Sequence, residues 1–141
     1  MRKIRQIKLS LFFGFLLMMC GGTLADDYQF VVSGLEGQIL DYNNGVLKRK
    51  DSIFSSELIM ETTGGSATLN TGQAIINDGV LRKVSDQLTF LFQADLAFWV
   101  VSCYPNIGLA LVSVHSDASK YGGARTLSYS GKCQAKKISK D

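Results

Sequence analysis

The sequence predicts an all-β, mainly antiparallel domain, folded as a small β-barrel or β-sandwich of about eight strands. Turn-forming residue pairs recur at short intervals from Asn43 onward, and the segments between them alternate apolar with polar residues. One segment, residues 107–114, is apolar at nearly every position, as in a central strand covered on both faces. A barrel or a sandwich is expected because either arrangement removes the exposed edges of a long meander.

The first 25 residues predict a secretory signal peptide. Four basic residues precede a largely apolar run of twelve residues, 9–20. This run is shorter than the roughly 20 residues that a membrane-spanning helix needs. Thr23 and Ala25 place small residues at the −3 and −1 positions, so we expect cleavage after Ala25. An uncleaved membrane anchor is the alternative.

A second processing route competes with this cleavage. The residues around Cys20 resemble a lipoprotein signal, in which Cys20 would be lipidated and become the first residue. Met19, just before it, is larger than the small residue that this chemistry normally requires, so export without lipid is favoured. We therefore expect a periplasmic or secreted protein, attached to a membrane only if Cys20 carries a lipid.

Residues 26–141 are expected to form one exported domain, with loose segments before Tyr28 and after Cys133. Removing the four basic residues of the signal from the fifteen in the chain leaves eleven, against twelve acidic residues, so the net charge changes from +3 to −1. A nucleic-acid partner is not expected, because such a partner requires a basic patch on the domain itself.

Turn signals divide the domain into strands in order. Asn-Gly and Asp-Gly pairs between β-prone segments favour two-residue hairpins, because a type I′ turn needs positive φ at both central residues. Pro-Asn suits the centre of a type I turn. The predicted turns are at Asn43-Asn44-Gly45, Thr63-Gly64-Gly65, Asp78-Gly79, Pro105-Asn106 and Tyr121-Gly122-Gly123.

The segments between these turns have the two-residue period of half-buried strands. Residues 126–133 alternate, with Leu127, Tyr129 and Cys133 on one face, and every even position from Leu88 to Val100 is apolar. Part of the second segment also fits helical spacing, so a short helix over residues 86–96 is the alternative to a strand.

Cys103 and Cys133 are predicted to form a disulfide, because they are the two cysteines that remain after export into an oxidising compartment. In a flat meander, strands two positions apart are about 9.5 Å apart, beyond the roughly 7 Å that a disulfide tolerates. We therefore expect either that Cys103 lies beyond the end of its strand, or that the last strand lies on another sheet or across a seam. No metal site is expected, because these cysteines and His115 are too few for the usual four zinc ligands.

His115 is the single histidine, so any acid–base or nucleophile triad would have to include it. Ser113, His115 and Asp117 alternate onto one strand face, which superficially resembles a triad. Their side chains are expected in a row about 7 Å apart, without contact between the serine and the imidazole. We interpret them as the polar end of a strand and predict no catalytic residues and no cofactor.

Aromatic residues in the second half of the chain are the remaining sign of a binding site. They suit a packed core, but they also suit a small barrel with an apolar cavity or an aromatic mouth. Trp99, Tyr104 and Tyr129 are the candidate ligand-binding residues.

The favoured function is a non-enzymatic binding module of a bacterial envelope that recognises a small apolar ligand or a partner protein, including inhibition of an enzyme. Enzymatic activity stays open but is not favoured. The first alternative is a structural or surface-assembly subunit that uses a long uncharged edge strand, for which residues 30–32 are the candidate. The second is a small hydrolase that depends on His115.

Overall fold

The computed structural model describes residues 27–118 and 123–138. The predicted signal peptide, its cleavage after Ala25, the lipidation of Cys20, and Tyr121 and Gly122 of the last turn lie outside the described residues. There is no helix among these residues, and hence none of the length and apolarity that crossing a membrane requires.

Nine strands make up the described fold, which confirms the all-β, antiparallel prediction. The alternative helix over residues 86–96 is wrong, because this segment forms β6 and the turn after it. The strands are β1 Tyr28–Asn43, β2 Val46–Phe54, β3 Leu58–Thr63, β4 Ser66–Asn70, β5 Ile75–Val84, β6 Gln87–Ala94, β7 Ala97–Tyr104, β8 Leu109–Ala118 and β9 Gly123–Lys137.

Eight of the strands close into a barrel, and β2 is an additional strand outside the closure. The barrel runs from β3 to β9 with each strand next to its neighbour in sequence, and β1 closes it by pairing with both β9 and β3. Between the two architectures that the sequence leaves open, the structure is therefore the barrel.

The first strand changes its partner half-way along its length. Residues 29–32 of β1 pair with β3, whereas residues 35–43 pair with β2, and a bulge at residues 33–36 separates the two parts. The strand β9 pairs with both parts. The barrel is therefore closed around the first part of β1, while the second part, with β2, extends beyond it. We call the latter region the open end.

Two of the predicted hairpin turns have the expected backbone. Asn44 and Gly45 have φ of 50° and 82° between β1 and β2, and Gly64 and Gly65 have 57° and 89° between β3 and β4. Positive φ at both central positions is the property of a type I′ turn, whose twist matches that of the flanking strands.

The predicted turn at Asp78-Gly79 is wrong, because β5 continues through both residues. Asp78 has a φ of 58°, and the register between β4 and β5 shifts at this point, so the pair forms a bulge inside one strand. A Cβ atom on Gly79 would lie 2.2 Å from the Phe92 ring, so the glycine lets β5 pass close over a core aromatic.

The even-numbered apolar residues between 88 and 100 do not all lie on the same face of the sheet. Leu88, Phe90 and Phe92 point inward along β6, but the tight turn before Ala97 reverses the parity of β7. In β7 the inner residues are therefore odd-numbered, and Phe98 lies on the outer face, with 41% of its surface exposed.

The predicted disulfide is present, with the Cα atoms of Cys103 and Cys133 5.7 Å apart. Both arrangements that we expected for this disulfide are wrong. Cys103 does not lie beyond the end of its strand but inside β7, and the last strand is not on another sheet, because β7, β8 and β9 are neighbours in one sheet. The separation of a flat meander does not apply, because the barrel wall is curved and Cys133 lies beside the start of β8, so the Cα atoms themselves approach each other. Cys133 of β9 lies opposite Gly108, the residue just before β8 begins, and its N–H donates to the Gly108 carbonyl at 3.0 Å.

Two expectations about the chain ends are wrong. The segment after Cys133 is not loose, because β9 continues to Lys137 and pairs there with Tyr28 of β1. Residues 30–32 are not an edge, because they lie between β3 and β9. Long-range pairing decides both points, and the local sequence does not contain it.

Candidate functional site

Side chains fill the closed part of the barrel. Phe30, Phe90 and Phe92 are at most 1% exposed; the first two rings meet edge to face at 5.1 Å between centroids, and the Phe90 and Phe92 rings stack at 6.3 Å. Within the described residues, every buried side-chain nitrogen or oxygen has a hydrogen-bond partner. This packed core has the character of a structural interior rather than of a ligand cavity.

The structure does not bring the three predicted ligand-binding aromatics together. Trp99 is half-buried against the core, and Tyr129 is buried, with its hydroxyl 3.1 Å from Ser52 Oγ. Tyr104 belongs to the other face of β7, at the opposite end of the barrel from the open end. Two of the three, Trp99 and Tyr129, contribute to the packing of the core.

Two of the depressions at the open end lie side by side. One has a volume of about 690 Å³ between the β1–β2 hairpin and Leu96, and the other has about 610 Å³ along the β6–β7 turn. Both are open to solvent, and they share five residues: Leu96, Ser116, Asp117, Ala124 and Arg125.

An ion pair lies on the inner face between these depressions. Arg125 on β9 faces Asp41 on β1, with Nε of the arginine 2.5 Å from Oδ1 of the aspartate. Their side chains are 51% and 39% exposed, so water screens the pair and it adds little to stability. The pair places two charged groups at the edge of the larger of these depressions.

The outer face of the open end has a continuous surface formed by four strands. Leu40 of β1 is paired with Thr126 of β9, Thr126 with His115 of β8, and His115 with Phe98 of β7. Tyr42 lies on the same face, two residues from Leu40. We call these five residues the outer-face patch. Leu40, Tyr42 and Phe98 are 37%, 52% and 41% exposed.

The histidine of this patch makes a contact that the sequence did not predict. Ser113 Oγ is 3.1 Å from His115 Nε2, and Thr126 Oγ1 is 3.4 Å from Nδ1. The expectation of no serine–imidazole contact is therefore wrong, because the imidazole is long enough to span the distance along the strand to the next residue on its face.

The surroundings of this hydroxyl–imidazole pair are unlike those of a catalytic serine. Ser113 lies in β8, which is paired along both edges, so the neighbouring backbone N–H groups are engaged in the sheet. A tetrahedral intermediate needs free donors close to its oxyanion. The imidazole Nδ1 is oriented by the threonine hydroxyl, whereas a carboxylate has this role in a hydrolase triad.

Sequence reasoning did not identify Leu40, Tyr42, Phe98 and Arg125 as site residues. They come together through the register of strands that are distant in the chain, which no local pattern encodes. One local signal was available: the Asn44-Gly45 turn is flanked by Tyr42 and Val46, which places large apolar side chains at an exposed hairpin tip.

Comparisons with known proteins give no relative for this chain. No family model matches it, and neither the curated proteins nor the solved structures contain a significant match. Among residues 27–118 and 123–138, no group of three or more His, Cys, Asp or Glu side chains is arranged to hold a metal ion.

Proposed function

We propose that this protein is an exported, non-enzymatic binding module that recognises a partner protein through the outer-face patch. The observation that carries the proposal is the contrast between a filled barrel interior and an exposed, partly aromatic surface at the open end. Tyrosine and phenylalanine are enriched at protein interfaces because a large rigid side chain buries much apolar area at low entropic cost.

A partner protein fits this surface better than a small apolar ligand does. Small ligands are usually held in concave pockets that bury most of their surface. The depressions at the open end are shallow and open, and they merge into an extended sheet face. The mixture of Leu40, Tyr42 and Phe98 with the polar His115 and Thr126 suits a contact that is partly apolar and partly hydrogen-bonded.

The proposed location is the periplasm or the outside of a bacterial cell, reached through the signal at residues 1–25. Lipid attachment at Cys20 is the alternative route. A disulfide-bonded β-barrel is compatible with such a location, because disulfides persist in oxidising compartments.

The hydrolase alternative rests on the contact between Ser113 and His115. Its surroundings, a fully paired central strand on an exposed face, lack the features of acyl-transfer chemistry described above. The assembly alternative loses its candidate strand, because residues 30–32 are enclosed between β3 and β9.

Site-specific photo-crosslinking in the producing cells tests the proposal. The photoreactive analogue of phenylalanine is placed at Tyr42 or Phe98, and as matched controls at Val84 or Ile107, which are exposed apolar residues away from the open end. We expect the first two positions to cross-link one and the same protein, and the controls to leave it unlabelled.

A second variant links the cross-link to the patch itself. Leu40→Ser should weaken the cross-link at Tyr42 at least tenfold while leaving the melting temperature within a few degrees, because Leu40 is exposed. Equal labelling from all four positions, or no protein adduct from the patch, would refute the proposal.

A further inference from the structure

The additional strand β2 has one unpaired edge. It pairs along its whole length with β1, and no other described strand lies on its far side. Leu47 and Ile53, near the two ends of this edge, are 64% and 74% exposed. An exposed strand of nine residues is a template for pairing with another strand.

The hairpin turn fixes which backbone groups point outward from this edge. Asn43 and Val46 flank the two-residue turn and are paired, which makes them a hydrogen-bonded pair in a hairpin of this type. Even-numbered residues of β2 therefore direct their N–H and C=O groups toward β1. Odd-numbered residues, which are Leu47, Arg49, Asp51 and Ile53, direct theirs toward the free edge.

We infer that the β2 edge binds a second copy of this chain, antiparallel, about a two-fold axis at Lys50. In this arrangement Arg49 lies opposite Asp51 of the second copy, and Leu47 lies opposite its Ile53. Because of the two-fold symmetry each of these pairs occurs twice. In all four pairs the backbone N–H and C=O groups point across the free edge, and the side chains lie on the outer face. Opposite charges and apolar residues therefore meet their complements across the axis.

The sequence of β2 selects this register among the possible ones. In an antiparallel pair, a residue whose backbone groups point across the pair lies opposite another such residue, so odd-numbered residues pair with odd-numbered ones and even with even. The alternative two-fold axes therefore pass through the neighbouring residues of β2. An axis at Arg49 places the two Arg49 side chains opposite each other, and an axis at Asp51 places the two Asp51 carboxylates opposite each other. The axis at Lys50 also brings two like charges together, the Lys50 ammonium groups on the other face, but of these three axes it is the one that joins opposite charges and apolar residues on the outer face.

The other occupant that charge permits is an acidic extended peptide, because Lys48, Arg49 and Lys50 outnumber Asp51. Such a peptide would satisfy the charges, but it gives no reason for the paired order of Leu47, Arg49, Asp51 and Ile53. The second copy accounts for that order, and the experiments below separate the two occupants.

Cysteine cross-linking of the purified exported protein tests the axis. Lys50 faces itself in a non-hydrogen-bonded pair, where Cα atoms are about 4.5 Å apart, within the range of a disulfide. We expect Lys50→Cys to form a covalent dimer under mild oxidation at least tenfold faster than Lys48→Cys. Lys48 is the matched control because it lies on the same strand and face but meets Ser52 of the second copy.

A charge exchange tests the register independently of cross-linking. We expect Arg49→Asp and Asp51→Arg each to raise the dimer dissociation constant at least tenfold in sedimentation equilibrium, since each places like charges opposite each other. The double variant, with both substitutions, should return to within threefold of the original value.

The inference fails on any of three results. They are equal cross-linking at positions 48 and 50, a double variant that stays as dissociated as the single ones, or an unsubstituted protein that is monomeric. Binding of polyglutamate by that monomer would assign the edge to an acidic partner. None of these results contradicts the proposed function of the outer-face patch, because that proposal is tested by cross-links to a different protein.

Discussion

The closed part of the barrel and its open end share β1 and β9 but bury their residues very differently. In the closed part, Phe30 and Val32 of β1 are at most 1% exposed, because the opposite wall of the barrel lies over their side chains. At the open end, none of the nine residues of β2 is buried, although all of them are paired with β1.

This contrast separates two contributions to the stability of a sheet, which are backbone pairing between strands and burial of one face. Every residue of β2 is paired with β1, although the far edge of β2 is unpaired, and only the closed part has a second wall to exclude water from its inner face. A two-stranded ribbon alone is at best marginally stable in water. The hairpin of β1 and β2 therefore depends on the pairing of β1 with β9, which anchors it to the barrel.

The largest expected difference between the two regions concerns a pair of phenylalanines. Phe90→Ala should lower the free energy of unfolding by about 3–5 kcal/mol, because it removes a fully buried ring that packs on Phe30 and Phe92. Phe98→Ala, on the outer face, should change it by about 0.5 kcal/mol or less. Urea unfolding of both variants measures the difference, and similar midpoints would contradict the division into two regions.

The disulfide should have the next largest effect. Replacing Cys103 and Cys133 together by alanine opens a loop of sequence separation 30. In the chain-entropy model the loss is about 3–4 kcal/mol. Urea unfolding with and without a reducing agent provides the control: the unsubstituted protein should lose stability on reduction, while the double variant should be indifferent. A double variant as stable as the oxidised protein would show that the bridge does not stabilise the closed part.

The smallest effect is expected at the open end, where Asp41→Asn removes the ion pair with Arg125. Both side chains are substantially exposed, so the loss should be below about 1 kcal/mol and should disappear at high salt. Unfolding midpoints at low salt and in about 1 M salt measure this effect. A large loss that persists in high salt would mean that the pair is structural rather than part of a surface.

The sequence predicted the strands and much of the turn chemistry because these depend on neighbouring residues. Its errors have the same origin. Asp78-Gly79 was predicted as a turn, but residues that favour positive φ occur in bulges as well as in turns. Phe98 was expected on the same face as Phe90 and Phe92 but lies on the opposite face, because a tight turn separates β6 from β7, and this turn contains no glycine that would have indicated it.

The candidate site could be predicted from the sequence only in fragments. His115 was identified as a residue of interest, but its contact with Ser113 and its neighbours Leu40 and Phe98 depend on the register of β1, β7, β8 and β9. Of the aromatic residues that the sequence favoured, Tyr129 is buried in the core and Trp99 is half-buried against it.

The pairing of β1 with β9 has a consequence for the order in which the molecule folds. The seam joins Tyr28 to Lys137, the most distant pairing that the chain contains between described strands. Such non-local contacts form slowly because a long loop must close first. Until residues 123–137 are available, β8 and much of β1 each present a bare strand edge, which is the kind of surface that aggregates. Of the nine described strands, β9 is therefore the one whose addition covers the exposed edges of β1 and β8 and lowers the tendency to aggregate.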